Sequence, residues 1–191
     1  EVVRRAAHAG FSPSIHAIGD AAVRRVLDVF EQQLGDTPGL RPRVEHAQIV
    51  APADVPRFAA LGAIASVQPT HATSDMPWAP ERLGPERTAW AYRWRSLLAA
   101  GARLALGSDA PIESSDPRLG IWAAVTRQTP DGQPPEGWNR DEALTVAEAI
   151  AGYTEWAAYA GGEEGWRGRL APGFAADLTV LDRDLEVGPP A

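Results

Sequence analysis

The chain has no cysteine and no lysine. The first absence removes disulfides, thiolate metal sites and cysteine nucleophiles together, and leaves the redox compartment open. The second makes all 18 basic residues arginine, which excludes a Schiff-base lysine, a phosphate-loop lysine and a carboxylated-lysine metal ligand from this stretch. Long apolar runs are missing as well: no segment approaches the roughly 20 residues that a membrane-spanning helix needs. A net charge of -7 argues against nucleic acid or an anionic membrane as a partner. Any metal held here must therefore be held by His, Asp or Glu, and there are four histidines.

At 191 residues the chain is long enough for one sizeable core or for part of a larger domain. Its opening, "EVVRRAAHAG", is helical in pattern and carries neither an initiator Met nor the apolar run of a signal peptide. The expectation is an internal or C-terminal piece of a longer, cytoplasmic protein.

Short apolar runs alternate with helical patterns. "PSIHAI" (13–18) reads as a strand, followed by a helix with Asp20 as candidate N-cap and Val23, Val26, Leu27, Phe30 and Leu34 on one face. "RVEHAQIV" (43–50) reads as a second strand and leads to a short helix over 53–61 that Gly62 would stop. "AIASVQPTHA" (63–72) reads as a third, with a polar, Pro-rich loop to residue 87 and a helix over 88–100 presenting Ala91, Trp94, Leu97 and Leu98. "RLALGSDA" (103–110) is the fourth, and Asp116 with Pro117 forms a cap and first turn for a helix through Arg127. Four apolar strands, each followed by a helix, imply a parallel sheet covered on both faces: a βα-barrel segment or a doubly wound sheet.

Beyond residue 128 the pattern changes. A Pro/Gly-rich loop precedes a capping box, Thr145 with Glu148, and the helical "TEWAAYAG" follows. "GRLAPGFAADLTVLDRD" combines a Pro-Gly turn with a short alternating strand, which suggests antiparallel strands outside the main sheet.

His16, His46, His71 and Asp109 fall at or just past the ends of the four expected strands. In a parallel βα sheet those ends share one edge, where active sites of such folds are built. Two imidazoles and a carboxylate suit a divalent transition metal such as zinc, whose catalytic sites keep a position open for water. Such an ion lowers the pKa of its water from 15.7 to roughly 7, and a neighbouring carboxylate can carry the proton to a leaving group. Each residue also has a plainer reading. His16 could be a structural imidazole, His46 could bond a backbone carbonyl, and Asp109 could cap a turn. His71 and Arg82, near the expected mouth, are the candidate substrate contacts.

"SIHAIGDAAV", "RVEHAQ", "SVQPTHATSDMPWAPERLGPERTAWAYRW", "LLAAGARLALGSDAPIESSDPRLGIWAAVTRQ" and "GRLAPGFAADLTVLDRD" resemble the amidohydrolase superfamily, in its YtcJ-like or amidohydrolase-3 branch, which includes N-substituted formamide deformylase. The resemblance implies an α/β fold: the second half (strands five to eight) of a TIM-like βα barrel over 1–160, and the C-terminal segment of a small composite β-sandwich over 161–191. It implies His16 and His46 as the fifth- and sixth-strand metal ligands, and Asp109 as the eighth-strand aspartate that binds metal and shuttles the proton. The cofactor it implies is a divalent metal, zinc first, as one or two ions. The implied reaction is hydrolysis of a non-peptide C–N bond in a small amide- or formamide-like substrate by metal-bound hydroxide. The family's first-strand His-x-His pair and its fourth-strand ligand have no counterpart here, so the isolated piece is expected to be inactive.

Two other readings stay open. One is a non-catalytic α/β domain that binds a small ligand or a partner chain at the same edge, and the other is a remnant without activity. The apolar helix faces could support a homodimer.

Overall fold

A computed structural model describes residues 1–34 and 39–182. Its sheet contains β1 (Ser14–Ala17), β2 (Arg43–His46), β3 (Ile64–Val67) and β4 (Arg103–Leu106), in the order β1-β2-β3-β4. β1 pairs parallel to β2 and β2 parallel to β3, so this is an α/β fold with a parallel sheet. The helices are α1 (Val2–His8), α2 (Asp20–Leu34), α3 (Val55–Ala60), α4 (Pro69–Asp75), α5 (Ala79–Thr88), α6 (Trp94–Ala99), α7 (Pro117–Thr126), α8 (Val146–Tyr153) and α9 (Glu155–Gly161). Among the described residues no helix is long and apolar enough to cross a membrane.

The chain divides into two compact units. The first comprises Glu1–Val67 and Ala79–Leu104. In it α2 buries Val23, Val26, Leu27 and Phe30 on the face its spacing predicts, while Leu34, at the helix end, stays half-buried. Asp20 lies inside the first turn of α2, not outside it as an N-cap, and its carboxylate is 3.8 Å from the guanidinium of Arg87. An acid there favours the positive end of the helix dipole without capping it.

An ion cluster around the buried Asp54 links α2 to α3. Asp54, 2 % exposed, accepts from Arg24 at 3.0 Å and from Arg57 at 3.1 Å. Arg57 also donates to Asp28 and Glu31 of α2 at 2.8 and 2.7 Å. Burial pulls the Arg57 guanidinium down, but the hydrogen bonds to Asp28, Asp54 and Glu31 outweigh it and hold the group above its ordinary range. Gly62, at φ 62°, ends the segment where the sequence places the stop.

Two expected boundaries move. β3 stops at Val67 because Pro69 lacks the N–H a strand would use and instead opens α4 from its first turn. The stretch expected to be a loop to residue 87 is α4 and α5, the latter broken at Gly84, φ 73°, just before Pro85. The helix expected from residue 88 starts only at Trp94. Residues 90–92 are taken up in backbone bonds to the segment after β2: Val50 N–H donates to Trp90 at 3.0 Å, and Tyr92 N–H to Gln48 at 2.7 Å.

The second unit comprises Gln68–Trp78 and Ala105–Ala191. Asp116 caps α7, accepting from the Arg118 N–H at 2.9 Å, and Pro117 fills the first turn. Its bond to the Arg118 side chain holds the Asp116 carboxyl below its ordinary value. The capping box of Thr145 and Glu148 is formed at α8. No strand forms between Gly162 and Asp182, and Leu178 and Val180 are 60 % and 93 % exposed. A single alternating segment cannot satisfy its own ladder bonds and needs a neighbouring strand. The end of that expected strand, Arg183 and Asp184, lies outside the described residues.

Candidate metal centre

In the first unit the two leading histidines stand side by side. His16 on β1 pairs in register with Glu45, and His46, the last residue of β2, pairs with Ala17. Their rings meet edge to face, with centroids 4.6 Å apart and planes at 74°. A ligand nitrogen sits about 2.0–2.1 Å from zinc, so two imidazoles at this separation can serve one ion. His16 is exposed and His46 half-buried. Glu45, opposite His16 in the register, accepts from the Ser14 hydroxyl and meets Arg43 at 3.3 Å.

The backbone at His46 is unusual. Its φ is 72° and that of Ala47 is 41°, so the chain leaves β2 through the left-handed region. Non-glycine residues rarely adopt it, and such strain, of order 1–3 kcal/mol per residue, clusters at functional sites.

Asp109 in the second unit has the same signature, with φ 57° and an exposed side chain two residues beyond Gly107. Its carbonyl accepts from Ile112 N–H at 2.9 Å, closing a turn. His71 lies in the first turn of α4, half-buried, and not at the end of the third strand as expected. A ring nitrogen of His71 and a carboxylate oxygen of Asp109 lie within 4.8 Å of one another. Ser74 of α4 donates to Glu113 at 2.7 Å, tying the helix that carries His71 to the loop that carries Asp109. The Tyr153 hydroxyl donates to the Gly107 carbonyl at 3.1 Å. Burial pushes the Tyr153 phenol up, which keeps it a donor.

Within the first unit His16 stands beside His46, and within the second His71 stands beside Asp109. Imidazoles and a carboxylate, with no thiolate in the chain, are the donor types a divalent transition metal takes. Arg82 is exposed on α5, a helix of the first unit, and not in the expected loop. Sequence reasoning missed the approach of His71 to Asp109 and the hydrogen bond from Tyr153 to the Gly107 carbonyl. For His71 the signal was Pro69, which fits the first position of a helix better than the middle of a strand.

Comparison with known proteins identifies the family and the fold. The model of the amidohydrolase family matches residues 1–191. YtcJ of Bacillus subtilis (strain 168) is 39 % identical over 183 residues, 96 % of this chain and 34 % of YtcJ. N-substituted formamide deformylase of Arthrobacter pascens is 35 % identical over 189 residues, 94 % of this chain and 33 % of that enzyme. The crystal structure of an uncharacterized metal-dependent hydrolase from Pyrococcus horikoshii OT3 superimposes with a TM-score of 0.84 at 37 % identity, covering 98 % of this chain and 37 % of that one. The chain spans about a third of the length of these relatives. With every residue inside the family match and the fold shared with a metal-dependent hydrolase, the chain belongs to the amidohydrolase family.

Proposed function

We propose that this chain supplies the later half of the catalytic barrel, strands five to eight over 1–160, and the C-terminal sandwich segment, 161–191, of a metal-dependent amidohydrolase. The observation that carries the reading is the shared left-handed backbone of His46, the last residue of β2, and of Asp109, three residues beyond β4. Ala47, Tyr92, Arg127 and Asn139 share that conformation, but His46 and Asp109 combine it with side chains able to ligate a metal, and backbone strain of this kind clusters at functional sites.

In this reading His16, His46 and Asp109 hold a divalent ion, zinc first, and one ion or two serve the reaction. When bound, the ion supplies Lewis acidity toward a carbonyl oxygen and toward water. Asp109 takes the proton from the attacking water at a carboxylate oxygen. It returns that proton to the nitrogen as the C–N bond breaks, releasing an acid and an amine. His71, beside Asp109, meets the substrate close to the reacting carbonyl. Arg82 anchors an anionic group farther out. The substrate class is a small non-peptide amide or formamide, supported by the 35 % identity to N-substituted formamide deformylase.

The test is hydrolysis of a panel of N-substituted formamides and simple amides by the longest polypeptide that carries these residues. Metal-dependent turnover that Asp109→Asn abolishes is the expected result. Turnover indifferent to chelators and to Asp109→Asn would overturn the reading in favour of a ligand- or partner-binding domain.

A further inference from the structure

The second unit contains two helix-interior glycines with a common consequence. Gly120 lies within α7, where an added Cβ would stand 1.8 Å from the Tyr153 hydroxyl oxygen and 2.6 Å from its ring. Gly152 lies within α8, where a Cβ would stand 2.6 Å from Leu106, the last residue of β4. Glycine inside a helix costs roughly 0.5–1 kcal/mol against alanine, so each position carries a penalty that its surroundings must repay. What the two vacancies admit is one arrangement: α8 seated against the end of β4, with the phenol of Tyr153 reaching the Gly107 carbonyl at 3.1 Å.

That carbonyl belongs to the first residue after β4 and stands two residues before Asp109. The intervening backbone must swing into the left-handed region at Asp109, φ 57°, within that span. On the far side the loop is held by the Asp109 carbonyl to Ile112 N–H bond and by Ser74 to Glu113. On the near side the Tyr153 hydrogen bond is the side-chain clamp. From this juxtaposition we infer that Tyr153 is a positioning residue for Asp109, fixing through the Gly107 carbonyl the direction in which the carboxylate leaves the strand end. The inference rests on the metal-site reading of Asp109 above.

A clamp that only held α8 in place would affect stability. A clamp that aims a ligand affects the ion's surroundings, and a misplacement near 1 Å can cost about a hundredfold in rate. The experiment uses cobalt(II) alone as the probe, titrated into the longest polypeptide that carries these residues, as wild type, Tyr153→Phe, Gly120→Ala and Asp109→Asn. Tyr153→Phe keeps the ring and deletes the hydroxyl. Gly120→Ala keeps the hydroxyl and pushes it off Gly107, so the two perturbations converge from different chemistry.

The expected result is a changed visible cobalt spectrum in both Tyr153→Phe and Gly120→Ala, with kcat on the formamide panel about tenfold to a hundredfold lower and KM within about twofold. A wild-type cobalt spectrum and wild-type kcat in a folded Tyr153→Phe protein, whatever its melting temperature, overturns the inference while leaving the metal site intact. If wild type binds no cobalt, or Asp109→Asn leaves the spectrum unchanged, the underlying reading fails, and the inference with it.

Discussion

His16 and His46 sit on adjacent parallel strands with ring centroids 4.6 Å apart, although the strand register sets His16 opposite Glu45. The left-handed turn at His46 accompanies this approach: φ 72° takes the last residue of β2 out of the pleat. Replacing either ring is expected to remove metal from the complete protein without unfolding it. Elemental analysis of His16→Ala and His46→Ala proteins should show that loss, and undiminished metal in both would exclude them as ligands.

The left-handed positions make a second, thermodynamic prediction. Left-handed backbone costs a residue with a Cβ roughly 1–2 kcal/mol, and glycine escapes that cost. His46→Gly should therefore be more stable than His46→Ala by about 1 kcal/mol, and Asp109→Gly likewise more stable than Asp109→Ala. Thermal melts of the metal-free variants check this order. Alanine equal to or above glycine at both sites would mean the backbone strain is absent.

The catalytic assignment predicts that Asp109→Asn keeps the fold but lowers kcat by about 10²–10⁴-fold, the usual contribution of a positioned proton carrier. Steady-state rates with the melting temperature measured alongside give the answer, and near-wild-type kcat in a folded variant refutes the role.

Much of this was legible in the sequence, for reasons that differ by element. Val23, Val26, Leu27 and Phe30 have a single periodicity and a single buried face, so α2 followed directly. The caps at Asp116 and Thr145 are local chemistry, readable over four residues. The start of α6 was not readable, because pairing of residues 90–92 with the segment 48–50 is long-range and no local propensity encodes it. His16, His46 and Asp109 could be placed near or just past strand ends from apolar runs alone. The left-handed angles at His46 and Asp109 could not, since nothing in "VEHAQ" or "GSDAP" departs from ordinary strand or turn composition.

Asp116 supplies a pH-dependent prediction. Its carboxyl is held below its ordinary value by Arg118, so the folded state favours the ionised form. Stability from that preference is present above the ordinary aspartate range, near 3.9, and is lost as pH falls through the lower folded value. Asp116→Ala should cost about 1 kcal/mol at neutral pH through the lost cap, and the gap to wild type should close as the medium is acidified below that range. A gap that is constant with pH would show that the charge contributes nothing.

Packing at the β4 end gives one more. Gly152→Ala brings a Cβ to 2.6 Å from Leu106 and should destabilise by about 1–3 kcal/mol. Shortening Leu106 in the same protein should recover part of that loss. Chemical denaturation of the single and double variants measures both, and additive losses would argue against the contact.

The most direct test of the metal centre is elemental analysis of the longest polypeptide that carries these residues, beside the same protein with His16, His46 and Asp109 all replaced. The expected result is near-stoichiometric divalent metal, zinc first, in the native protein and its loss in the triple variant. No metal in the native protein, or equal metal in both, would contradict the assignment and return the three residues to packing and turn roles.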